Sequence, residues 1–315
     1  MSKTAKIWLI VAGSLTALGA LMVVGALAMI HWNPAEFGAA AYTTDTYEIT
    51  DSFDSVSVDA SAADTVFRLS DNKTCKIDCR GTKGMKFKTS VQNKTLTVKA
   101  EADPDWTVRL SSLFNHPQIT VYLPEKQYRQ LAVVSAAGDV LIPGDFSFDS
   151  ISINAATTDV DCAASVSGDL QIHCVTGDVT LSSLSAGDID IAVTTGDIRL
   201  KDVAAKGDVT VNTTTSDILL SNTYASKEIT LGAVTGDILF DRSDASQITA
   251  QTTTGDITGT LCSDKIFSVK TTTGDTDVPD TARGGNCVLT TGVGDICIRI
   301  EKNDPTAGVD SINKN

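Results

Sequence analysis

The stretch Val193–Leu220, VTTGDIRLKDVAAKGDVTVNTTTSDILL, contains a Thr-Thr-Gly-Asp-Ile turn and then, 20 residues on, its near copy Thr-Thr-Ser-Asp-Ile. Followed in both directions, the acidic residue of that turn recurs as Asp139, Asp159, Asp178, Asp197, Asp217, Asp237, Asp256, Asp275 and Asp295, always 19 or 20 residues apart. A period held this tightly over nine copies is the mark of a solenoid: one unit cannot cover its own apolar face and must stack on its neighbours.

Inside one period, Ile189, Ile191 and Val193 alternate with Asp190, Ala192 and Thr194, the two-residue rhythm of a strand with one buried face. The step from Val193 to Ile198 is five, so the alternation changes phase at a corner where Gly196 can take a positive φ. Ile198 and Leu200 then point inward on the next side, with Val203 expected at the second bend. A half-period echo, Gly168-Asp169-Leu170, Gly187-Asp188-Ile189, Gly207-Asp208-Val209 and the looser Lys227-Glu228-Ile229, gives each coil at least two strands with a turn before each.

The fold class that follows is all-β: a single-stranded parallel β-solenoid (β-helix) with coils of 19–20 residues, regular over 131–300. At ~4.8 Å per coil, nine coils form a rod ~43 Å long. By analogy with parallel crossovers the winding is expected to be right-handed. Between 46 and 130 strand-like segments continue without the strict period, as in SVSV at 55–58, CKIDC at 75–79 and ITVYLP at 119–124. These are expected to be the irregular start of the same solenoid, capping it, with a separate β-sandwich as the alternative. The polar 301–315 segment, EKNDPTAGVDSINKN, is expected to be disordered.

Residues 7–30, IWLIVAGSLTALGALMVVGALAMI, carry no charge over 24 positions. At ~1.5 Å per residue such a helix covers ~36 Å, enough to span a ~30 Å hydrocarbon core. Lys3 and Lys6 precede it and Glu36, Asp45 and Glu48 follow, which makes 1–6 a cytoplasmic tail, 31–45 a linker, and the remainder extracytoplasmic. A cleaved signal peptide is the competing reading, but the apolar run exceeds the usual h-region of ~7–15 residues. The expected location is therefore the cell membrane, single-pass.

A formal net charge of −14 argues against a nucleic-acid partner, because phosphates need a basic footprint. Catalytic chemistry is poorly supported. Of the three histidines, His31 lies at the membrane edge, His116 in FNHPQ, and His173 should face outward between Ile172 and Cys174 with no converging partner. From 131 to 300 the aromatics are Phe146, Phe148, Tyr224, Phe240 and Phe267, without Trp, so a sugar-stacking platform is also poorly supported. The Asp ladder admits two readings: carboxylates that fix the turns by accepting backbone N–H groups, or oxygen ligands for Ca²⁺. The first is preferred, because the glycine-rich nonapeptide of calcium β-rolls is absent. The seven cysteines cannot all pair within one chain. Cys75 and Cys79 share a strand face ~13 Å apart, too far for a disulfide. Cys162, Cys174 and Cys287 fall on inward positions and Cys297 faces out.

The apolar amino-terminal span, the passage ITVYLPEKQYRQLAVVSAAGDV at 119–140 and the ladder of Thr-Thr-Gly-Asp turns together resemble bacterial adhesin-like proteins of the DUF4097 type, over about Thr46 to Ile300. The resemblance implies a surface-exposed β-strand-repeat protein, with relatives associated with envelope-stress regulation, and it supplies no catalytic residues.

The expectation drawn from residues and resemblance together is a non-enzymatic, membrane-anchored cell-surface protein acting as an adhesin or interaction module. The alternative is a regulatory or sensory subunit of the envelope-stress kind. No catalytic, cofactor-binding or metal-binding residue is named and no cofactor is expected. Partners are the membrane, through the amino-terminal helix, and an envelope or surface macromolecule; the oligomeric state is left open. Outward threonines, including Thr194, Thr214, Thr253 and Thr272, are candidates for a contact face.

Overall fold

Short runs of Val, Ile and Leu alternating with Thr, Ser and Asp form strands that hide one face, and in the computed structural model they wind into a parallel β-solenoid of about nine turns. The structure describes residues 42–82, 85–101 and 117–301, together with 16, 19–21 and 24–25. Most of the expected span at 7–30, the tail at 1–6, residues 31–41, 302–315, His31 and His116 lie outside the described residues. Of the span, Thr16, Gly19, Ala20, Leu21, Val24 and Gly25 are described, and all are helical. Among the described residues no helix is long and apolar enough to cross a membrane.

Each regular turn has three corners. In the turn beginning at Ile189, the strand Ile189–Thr195 makes the first side and the strand Ile198–Ala205, bent at Asp202, makes the other two. The bend falls one residue before the expected Val203, which instead lies in the core at 1% exposure. Asp202 has φ 55°, and Ser183, Asn222 and Arg242 hold the same left-handed conformation one turn apart. Asn and Asp tolerate that region through local side-chain hydrogen bonds, and the Asn222 amide donates to Asp202 Oδ1 at 2.6 Å.

Turns stack in register. Ile189 pairs with Leu170 on one side and Val209 on the other, and Ile198 lies between Val179 and Ile218. The inward ladders Ile189, Ile191, Val193, Ile198 and Leu200 are buried as their alternation requires. One hydrophobic cluster runs from Phe53 to Ile298. Burying each Val, Ile or Leu contributes about 1.5–3 kcal/mol, so stacking supplies the main cohesion.

The order of turns is not the order of the sequence at either end. Cys287 pairs with Ile248 on one side and Phe267 on the other, and Ile296 lies between Ile257 and Thr276. The last turn, 285–300, is thus inserted between its two predecessors, and Lys265–Thr273 forms the outer rung. The amino-terminal end repeats the device. The strand Ser55–Ser61 is flanked by Thr95–Glu101 and Gln127–Ala137, so the first turn lies inside the second. Outside it the chain becomes antiparallel, with Lys86–Gln92 on Thr95–Glu101 and Tyr42–Ile49 on Cys75–Thr82.

Thr65 breaks one inward ladder. It stacks on Val140, and the column continues as Val160, Val179 and Ile198, yet its buried hydroxyl has no hydrogen-bond partner. Thr65→Val keeps the shape and removes an unsatisfied group, so it should stabilise the protein by about 1–2 kcal/mol, read as a higher denaturant midpoint.

Candidate functional site

The surface with a repeated chemical character is the side formed by the Ile189–Thr195 strand and its equivalents. Before each Gly-Asp corner two consecutive residues face out. One column runs Val175, Thr194, Thr214, Val234 and Thr253, and beside it lie Thr176, Thr195, Thr215, Thr235 and Thr254; all are exposed. Thr194, Thr214, Thr253 and Thr272 therefore face solvent as expected.

The corner beside these threonines is held by the Asp ladder. The Asp178 N–H donates to Asp159 Oδ1, Asp197 N–H to Asp178, Asp237 N–H to Asp217 and Asp256 N–H to Asp237, each at 2.8 Å. The acceptor thus serves the neighbouring turn and ties the turns together. At the carboxy-terminal end Asp295 donates to Asp256 at 2.7 Å and Asp275 to Asp295 at 2.8 Å, following the exchanged order of turns. At the other end Asp139 N–H donates to Asp64 Oδ1 at 3.0 Å, which adds a member that the periodicity did not reveal. Where Ser216 replaces glycine, its hydroxyl accepts the Gly196 N–H at 2.8 Å, in the place of the Thr carbonyl that accepts the corresponding N–H of Gly177 and Gly236. Arg199 spans two rungs, reaching Asp197 Oδ2 at 2.6 Å and Asp178 Oδ2 at 3.4 Å. Asp237→Ala should cost about 1 kcal/mol by removing the acceptor, whereas Asp237→Asn keeps a carbonyl oxygen and should cost less; urea midpoints separate the two.

Among the described residues no group of three or more His, Cys, Asp or Glu side chains is placed to hold a metal ion. His173 is half exposed, with Nε2 3.9 Å from Asp190 Oδ2. One Ser-Lys contact has the outline of a nucleophile and base. Lys265 Nζ donates to Ser263 Oγ at 2.5 Å, but it also pairs with Asp244 Oδ1 at 2.5 Å, with its side chain 2% exposed. The Asp244 carboxylate thus engages the same ammonium in a buried ion pair at the end of the solenoid.

The seven cysteines are all free thiols. Cys75, Cys79, Cys162, Cys174 and Cys287 are buried, while Cys262 and Cys297 are partly exposed. Burial pushes the thiols of Cys75, Cys79, Cys162 and Cys287 up to about 12 from 9.0. Their neutral form is the one the fold accommodates, so this part of the stability is intact below pH 9.0 and is lost as the pH rises toward about 12. Alkylation of native protein at neutral pH, followed by mass spectrometry, should mark Cys262 and Cys297 and leave these four unmodified until the chain unfolds.

A concave groove of about 720 Å³ runs along five turns of the same side. Val134, Ala156, Val175 and Ala192 give it an apolar floor, and Asn154, His173 and Asn212 add polar groups. Val134 and Val175 are 52% and 56% exposed.

A stacked, parallel coil whose strands cover three sides, with an exposed Thr surface, defines a β-solenoid repeat protein. More particularly, the chain belongs to the Toastrack DUF4097 family, whose model matches residues 53–266. Solved structures with a similar course include three proteins described as a "putative adhesin". That from Bacteroides fragilis is 14% identical with a TM-score of 0.47, covering 83% of this chain and 98% of its own. That from Parabacteroides distasonis is 12% identical with a TM-score of 0.49, covering 82% and 98%. That from Parabacteroides merdae is 16% identical with a TM-score of 0.49, covering 84% and 98%. No curated protein matches the sequence significantly.

Proposed function

We propose that this Toastrack protein is a single-pass, membrane-anchored cell-surface module whose solenoid stands outside the cytoplasm and makes contacts rather than carrying out chemistry. The observation that carries the reading is the uninterrupted outer side, on which the same two columns of exposed Thr and Val repeat from turn to turn. A surface that repeats its chemistry at one-strand intervals suits a long contact with another macromolecule. The uncharged stretch 7–30 supplies the anchor and its flanking charges the orientation. The clamped Lys265 and the half-exposed His173 support a non-enzymatic role.

The test is a pair of carboxy-terminal fusions expressed in bacterial cells. An alkaline phosphatase fusion should be active and a green fluorescent protein fusion dark; the reverse pattern overturns the orientation. Binding of intact cells to a surface, lost on deletion of the gene, supports adhesion, whereas a stoichiometric membrane partner on purification supports a regulatory subunit instead.

A further inference from the structure

The charge of the solenoid is unevenly placed. From Leu131 to Gly196 the sequence has nine acidic residues and no Lys or Arg. Six of the nine form two rails, Asp139, Asp159 and Asp178 at the Gly-Asp corner and Asp149, Asp169 and Asp188 at the opposite one. Residues 151–157 and the strands Leu170–Thr176 and Ile189–Thr195 lie between them. The groove described above crosses these same strands. Its exposed Val175 thus sits between two lines of carboxylates and Val134 one turn beyond the end of the second line, while Asp178 already shares its carboxylate with Arg199, 3.4 Å from Oδ2.

We infer that this groove binds an extended, basic polypeptide segment in which cationic and apolar residues alternate. The inference rests on the surface-contact reading and names its ligand class. A Lys or Arg side chain lays its methylenes on apolar surface while its charged head reaches water or a carboxylate. Here the methylenes cover the Val and Ala side chains and the heads stand in water within the field of the rails. Asn154, His173 and Asn212 line the groove as hydrogen-bonding partners for an extended backbone that has no strand edge to pair with. Five turns span about 19 Å at ~4.8 Å per interval, the length of about six extended residues. The same field repels phosphates and acidic segments, so it selects by charge as well as shape.

The test uses the full-length protein in nanodiscs of zwitterionic lipid and a fluorescein-labelled decapeptide of alternating Lys and Val, followed by fluorescence anisotropy. Saturable binding is expected, weakened about tenfold when ionic strength rises from about 0.05 M to about 0.5 M, and abolished by acetylating the peptide lysines. Ala156→Lys with Val175→Lys should weaken binding about tenfold, while Ser182→Lys with Leu219→Lys, on the adjoining flank where Lys201 already stands in register with Ser182, should change it about twofold or less. Absence of saturable binding, equal losses from the two double variants, or undiminished binding of the acetylated peptide would each overturn the groove assignment. If the fusion reporters still place the solenoid outside, such a result removes the ligand class and leaves the surface-contact reading in place.

Discussion

Gly196→Val should destabilise the protein by about 3 kcal/mol or more, among the largest effects of any single exposed-corner substitution. Two causes combine. Gly196 has φ 134°, a conformation that a β-branched residue adopts only under strain. A Cβ there would also lie 2.1 Å from the Gly177 carbonyl oxygen of the adjacent turn, so the stacked corners leave no room for a side chain. The control is two residues away: Thr194→Val should be neutral within about 0.5 kcal/mol, because the equivalent exposed column already holds Val175 and Val234. Urea denaturation of both variants checks the contrast, and equal losses would show that corner geometry is not what limits stacking.

Asp244→Ala should cost about 3–5 kcal/mol, since it leaves the Lys265 ammonium buried without its counter-charge. Lys265 begins the outer rung Lys265–Thr273, and its side chain is 2% exposed. The loss should be local, appearing in hydrogen exchange as faster exchange over 257–300 with the central turns unchanged. Adding Lys265→Met to Asp244→Ala should recover most of the stability, because a flexible apolar chain of similar length replaces the stranded charge. A double variant no better than Asp244→Ala alone would mean that the pair is not what secures the terminal rungs.

The middle of the solenoid was legible because its residues obey two simple rhythms. Alternation along Ile189, Ile191 and Val193 set the buried face, and the 19- or 20-residue interval set the stacking, so inward positions and exposed threonines follow directly. The third corner was less visible because it uses Ser183, Asp202, Asn222 and Arg242, none of them glycine; Asp202 and Asn222 were the available cue. Asp64 was missed because it sits in Ala-Ala-Asp-Thr, without the preceding glycine, and 75 residues separate it from its partner Asp139.

The exchanged order of the end turns had no sequence signal at all. Asp275 and Asp295 both follow glycine at the same place in the repeat, and equivalent repeats do not say which neighbour each stacks on. The candidate contact face was legible as a list of outward threonines. The groove was not, because its lining is assembled from five turns that only the stacking brings side by side. The burial of Lys265 depends in the same way on how the solenoid ends, which no local pattern encodes.

Thiol cross-linking along an outward column tests the stacking most directly, and native Cys297 provides one end. Thr258 is in register with Cys297 across a separation of 39 residues. Thr258→Cys treated with a short thiol cross-linker should therefore yield a linked 258–297 peptide in mass spectra, and Thr258→Cys with Asp277→Cys should link each introduced thiol to Cys297 and not to the other. A 258–277 link with none from 258 to 297 would contradict the exchanged order, and the absence of any link between the turns would contradict the in-register solenoid itself.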